Sequence, residues 1–112
     1  MTCTGSEAND IALRMAEAVT GNRGVIATDH TYHGNTTVVA QLSMTNRPAT
    51  GDGSHVRHVP APDSYRPPDN QPGQPHAKAF ADAVKQRIDE LNQTEHGFSA
   101  LIVCPYLSLI HI

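Results

Sequence analysis

At 112 residues with a formal net charge of −3, the chain is the size of one modest domain, and a chain this short buries only about two-thirds of the surface its unfolded form exposes. Apolar residues make up 38%, tryptophan is absent, and the 8 prolines and 8 glycines gather toward the middle, so two folded ends around a loose centre are expected rather than one large core. The 8 lysines and arginines are scattered, not striped, which excludes the basic footprint of a nucleic-acid-binding surface.

Cys3 and Cys104 are the only cysteines, and they form neither a disulfide framework nor a C-x-x-C metal pattern, so a reducing cytoplasm is the expected compartment. The first residues lack the basic and apolar blocks of a secretory signal. No apolar run approaches membrane-spanning length.

In chain order, Thr4 and Glu7 form the signature of a capping box, in which the hydroxyl accepts from an amide three residues on and the carboxylate reaches back. The helix it opens is expected over about Gly5 to Thr20, closed by Gly21. Ala8, Ile11, Ala12, Met15, Ala16 and Val19 recur at spacings of three and four and so share one helical face. Gly24 to Thr28 is a short, mostly apolar run of the kind that forms a strand buried in a parallel sheet. A weaker helix is expected from Thr36 to Ser43, with Val38, Val39 and Leu42 as its apolar side, stopped by Asn46-Arg47-Pro48.

His55 to Val59 alternates as a strand does, and the prolines at 60 and 62 end its ladder. From there to Pro75, six prolines forbid regular structure and predict a long surface excursion. A last helix places Ala77, Phe80, Val84, Ile88 and Leu91 on one face, with Lys85, Asp89 and Glu90 turned outward. After His96-Gly97, the run from Phe98 to Cys104 reads as a second strand buried on both faces. Strands alternating with helices predict an α/β fold, a three-layer sandwich around a mostly parallel sheet.

Two stretches carry chemistry. Thr4-Gly5-Ser6-Glu7-Ala8-Asn9 opens a helix where amides lack intrahelical partners and the dipole is positive. A phosphate fits against Gly5, which has no Cβ, beside the amide and hydroxyl of Ser6; a plain helix cap is the alternative reading of the same residues. Tyr32-His33-Gly34 follows the first strand at its carboxyl end, where open α/β sheets bind ligands and where an aromatic can stack on a ring. His30 with His33, and His55 with His58, repeat an H-x-x-H spacing, but neither pair falls on a helix, so no metal site is expected.

Taken together, the segment from Cys3 to Thr36, CTGSEANDIALRMAEAVTGNRGVIATDHTYHGNT, resembles the class III aminotransferases, with VRHVPAPDSYR (56–66) and ALIVCPYLS (100–108) as later segments of the same family in order. The resemblance implies that residues 1–108 form part of the cofactor-binding large domain of a fold type I enzyme. It further implies that Gly5 and Ser6 hold the phosphate of pyridoxal 5'-phosphate, and that Tyr32 lies over one face of its pyridine ring with His33 beside it. The implied reaction is amino transfer between an amine or amino acid and a keto acid, in a homodimeric parent. Lyases and decarboxylases of the same family, or a non-catalytic phosphate-binding α/β module, are the alternatives.

The family's bond-making residues are a Schiff-base lysine and an aspartate that pairs with the ring nitrogen. By the resemblance both lie further along than this chain reaches, and Lys78 and Lys85, its only lysines, read as solvated residues of the last helix. No catalytic residue is therefore assigned, and the chain is expected to be inactive by itself. Cys104-Pro105 departs from the carboxylate-proline common in the family, and Leu109-Ile110-His111-Ile112 reads as a non-family tail.

Overall fold

A computed structural model of the chain describes residues 1–44, 53–61 and 76–104. In order they form α1 (Gly5–Thr20), β1 (Gly24–Thr28), α2 (Thr37–Ala40), β2 (Val56–Val59), α3 (His76–Asn92) and β3 (Phe98–Ile102). The segments expected to stop the second helix, to make the proline-rich excursion beyond residue 61 and to form the tail at 109–112 lie outside the described residues.

The boundaries of α1 follow from its ends. Thr4 takes an extended conformation and accepts the Glu7 amide on its hydroxyl at 3.2 Å. The Glu7 carboxylate reaches back to the amide of Cys3 at 2.8 Å, one residue earlier than in a standard capping box. At the other end Gly21 adopts φ 70° and returns its amide to the Glu17 carbonyl at 2.8 Å, a left-handed closure that favours glycine.

The three strands are parallel in the order β2-β1-β3. Val25 pairs with Val56 and Thr28 with Val59 on one side; on the other the register shifts after Gly24–Phe98, so that Val25 pairs with Ala100. Alternation along β1 then sorts the core into two clusters. Val25 and Ala27 face Leu13 of α1 and Val39 and Leu42 around α2, whereas Ile26 faces Leu91 of α3 with Val59. Phe80, Ala83, Val84 and Ile88 of α3 pack against this second cluster. The result is helix, sheet, helix, as expected for an α/β sandwich.

β1 is buried along its whole length, as its sequence predicts. β3 differs from expectation: it is an edge strand, half-buried at best, with Leu101 exposed, because among the described residues only β1 pairs with it. Its apolar composition alone does not distinguish an edge from a centre. α2 is shorter than expected, since the chain from Gln41 to Ser43 continues in i→i+3 hydrogen bonds at 3.1–3.3 Å.

The face of α1 also differs from what its periodicity suggests. Ile11, Met15 and Val19 do share one side, but Met15 is 63% and Val19 86% exposed. The residue that α1 buries is Leu13, set about 200° round the helix from Met15. Polar groups accompany it on the inner side: the Thr20 hydroxyl bonds Ser99 Oγ at 3.1 Å, and Asn22, just beyond the helix, donates to the Phe98 carbonyl at 3.0 Å.

Candidate functional site

Because α1 runs antiparallel to the strands, its amino end meets their carboxyl ends, where loop 29–36 leaves β1. Capping satisfies the Glu7 amide, and the Ala8 amide bonds the Thr4 carbonyl at 3.1 Å. Among the described residues nothing engages the amides of Gly5 and Ser6. They form a free donor pair at the positive end of a four-turn helix.

Loop 29–36 folds directly onto this end. The Asn35 amide donates to Ser6 Oγ at 3.1 Å, Asn9 Nδ2 donates to the His33 carbonyl at 2.7 Å, and the Thr36 hydroxyl donates to Asp10 Oδ1 at 3.3 Å. Gly34 explains how the two segments approach so closely. It has φ 142°, and a Cβ there would lie 2.7 Å from Ser6 Oγ and 2.8 Å from Ser6 Cα, inside any tolerable contact. Since Ser6 Oγ accepts from Asn35, its own hydrogen remains to be donated elsewhere.

The loop points its residues alternately. Thr31 and His33 are buried, at 3% and 8% exposure, while Tyr32 between them is 45% exposed. The His33 ring contacts the Thr31 hydroxyl at 2.9 Å and its amide donates to Ser43 Oγ at 3.4 Å. Burial pushes the His33 imidazole below its ordinary range, and the neighbouring charge of His58 pushes it further the same way. His58 itself bonds the Leu42 carbonyl at 2.9 Å.

Of the residues singled out in the sequence, Ser6, His33 and Gly34 are thus brought together at one end of the sheet, with Gly5 and Tyr32 as their immediate neighbours in the chain. The members of each histidine pair sit in different surroundings. His30 is exposed with φ 56°, and His55 meets the ring of His96, edge to face, with centroids 6.2 Å apart. Among the described residues no group of three or more metal-binding side chains is assembled. Lys78 and Lys85 are exposed on α3, across the sheet from α1, and Lys78 pairs with Asp82 at 2.7 Å.

Sequence reasoning missed Asn9, Thr31, Ser43 and Asn35. Asn9 falls on the same side of α1 as Leu13, where a polar residue needs a partner, but the apolar periodicity points to the opposite face as the buried one, so the sequence carried no usable signal for it.

The residues present fit a phosphorylated ligand on one direct observation. A Cβ built on Gly5 would meet no atom of the described residues beyond its own helix within 4 Å, so among the described residues the space beside the free amides is open to an incoming anion.

No family model matches the chain. In sequence it is 45% identical over 67 residues to an alanine-glyoxylate aminotransferase 2-like protein of Drosophila melanogaster, covering 55% of this chain and 13% of that protein. To ethanolamine-phosphate phospho-lyase homolog 1 of Caenorhabditis elegans it is 29% identical over 109 residues, covering 87% and 23%. In structure it matches a phospholyase from Arthrobacter in complex with phosphoethanolamine, with a TM-score of 0.74 and 34% identity over 96% of this chain and 25% of that one. The chain spans a quarter or less of the length of these relatives.

Proposed function

We propose, for a chain that resembles the class III, fold type I pyridoxal-phosphate aminotransferases in both sequence and fold, that its described residues form part of the cofactor site of such an enzyme. The observation that carries the reading is the contact of Gly34 and Asn35 with Ser6. It sets the loop bearing Tyr32 against a helix mouth with two free amides.

In this reading the Gly5 and Ser6 amides and the Ser6 hydroxyl donate to the cofactor phosphate, a charge-assisted arrangement stronger than neutral hydrogen bonds. Tyr32 lies over one face of the pyridine ring, with His33 beside it, so that ring and phosphate are fixed at two points. Bound pyridoxal phosphate supplies an electron sink for the carbon that carries the amino group. The protein's part here is orientation. The Schiff-base lysine is assigned to another part of the enzyme, because Lys78 and Lys85 stand on the far side of the sheet, and the aspartate for the ring nitrogen is assigned there by the family resemblance alone.

Amino transfer between an amine or amino acid and a keto acid is the proposed activity of the whole protein, acting in the cytoplasm as a homodimer. Residues 1–108 then belong to the large domain, and 109–112 lie outside the family pattern. Phospho-lyase chemistry is the second reading, supported by the two matches named for it. Release of inorganic phosphate from phosphoethanolamine, against amino transfer from alanine, separates the two in a protein that carries the lysine.

The cofactor site is testable in the chain itself by amide and aromatic NMR. Pyridoxal phosphate is expected to shift the Gly5 and Ser6 amides and the Tyr32 ring together, inorganic phosphate only the two amides. Gly5→Ala is expected to weaken both ligands without loss of stability, since its Cβ meets nothing among the described residues and would stand in the proposed approach of the anion. Shifts confined to other surfaces would remove the reading.

A further inference from the structure

The polar contacts of loop 29–36 leave little freedom in where its hydrogens go. A threonine hydroxyl has one hydrogen to give. Thr31 Oγ1 lies 2.6 Å from the Thr28 carbonyl, which only accepts, so the hydrogen is committed there. The 2.9 Å contact between Thr31 Oγ1 and His33 Nε2 must then be donated by the imidazole. By the same reasoning His58 Nε2 donates to the Leu42 carbonyl.

His33 is also held by its main chain, with Asn9 of α1 on its carbonyl and Ser43, after α2, on its amide. Three parts of the fold therefore converge on one residue. Tyr32 stands between two buried neighbours and is itself nearly half exposed. Both residues that flank it in the chain are anchored, Thr31 to the Thr28 carbonyl and His33 to Thr31, Asn9 and Ser43.

We propose that His33 is a positioning residue for Tyr32, acting through a chain of hydrogen bonds from His33 Nε2–H to the Thr31 hydroxyl and on to the Thr28 carbonyl that locks the loop to the end of β1. That Tyr32 then serves a pyridoxal ring rests on the function proposed above; the hydrogen-bond chain itself does not. The imidazole thus serves the site from behind, by fixing where the aromatic projects, and in the neutral state it carries its proton on Nε2 with Nδ1 bare.

Thr31→Val tests this, since it keeps the branched shape and removes the hydroxyl, and Thr31→Ser restores it. In the unmodified 112-residue chain, nitrogen-15 NMR above the His33 titration is expected to show the Nε2–H tautomer. Thr31→Val is expected to mix the tautomers and shift the Tyr32 ring signals, and Thr31→Ser to return both toward the original. Affinity for pyridoxal phosphate is expected to fall about fivefold in Thr31→Val, the size of one hydrogen bond, while affinity for inorganic phosphate stays unchanged.

An Nδ1–H tautomer at His33, or Tyr32 signals indifferent to Thr31→Val, overturns the proposal. If Thr31→Val loses its dispersed amide spectrum, His33→Gln, which retains a donor amide, supplies the Tyr32 comparison instead: ring signals close to the original support the lock, and a displaced ring counts against it. If the unmodified chain shows the tautomer and the linked Tyr32 response but binds no pyridoxal phosphate, the positioning role stands and the cofactor reading fails.

Discussion

Burial of His33 makes the stability of the site depend on pH, and the sign follows from which form the fold disfavours. Its folded pKa lies below the ordinary 6.5 because burial and the His58 charge oppose protonation, so the unfolded chain binds more protons as pH falls. The contribution is fully present above about pH 6.5 and is lost as pH falls through the lower folded value. Urea midpoints are expected to drop between pH 7.5 and 5.5, and to drop less in His33→Asn. The window lies above the titration of Glu90, which its hydrogen bond to Arg87 holds below the usual range. Gly34 makes a second residue-scale prediction. Ala there must take a φ that side chains avoid and press on Ser6, which is expected to cost about 1–3 kcal/mol in denaturant melts. The sequence pointed to both Ser6 and Gly34, but as features of separate motifs. Twenty-eight positions separate them, and no periodicity or composition links residues that far apart. Their contact belongs to the tertiary fold, as do the contacts of the part-buried Asn9 and the buried Thr31.

Among the elements, α1 shows what local pattern does and does not settle. Thr4, Glu7 and Gly21 marked its ends because capping is local chemistry. Its partner was not legible, since spacing identifies an apolar face and says nothing of what that face meets. Leu13, isolated in the pattern, is the buried residue, and Leu13→Ala is expected to destabilise the chain by about 2–3 kcal/mol. Met15→Lys and Val19→Lys are expected to change stability by no more than about 0.5 kcal/mol while raising solubility, measured by urea melts and by light scattering. A large loss from either lysine would mean that the stripe is covered. β1 was readable because a run buried on both faces is apolar throughout. β3 is comparably apolar and has a different place, so its edge position emerged only from the sheet order.

For the molecule as a whole, three parallel strands leave both β2 and β3 with an unpaired side among the described residues, and α1 turns an apolar stripe outward. Both features favour self-association. Light scattering of the chain is expected to rise with concentration, and to rise less in the double variant Met15→Lys, Val19→Lys. Amino transfer from alanine to a keto acid is expected to be absent in the chain alone, since its lysines lie across the sheet from the helix mouth, and measurable turnover would contradict that assignment. Finally, Gly34 seated on Ser6 means that the start of α1 and the loop after β1 have no independent freedom: neither can tilt without carrying the other. Hydrogen exchange should register this as a single opening event, with the Asn35 amide and the first internally bonded amides of α1 losing protection at one common rate.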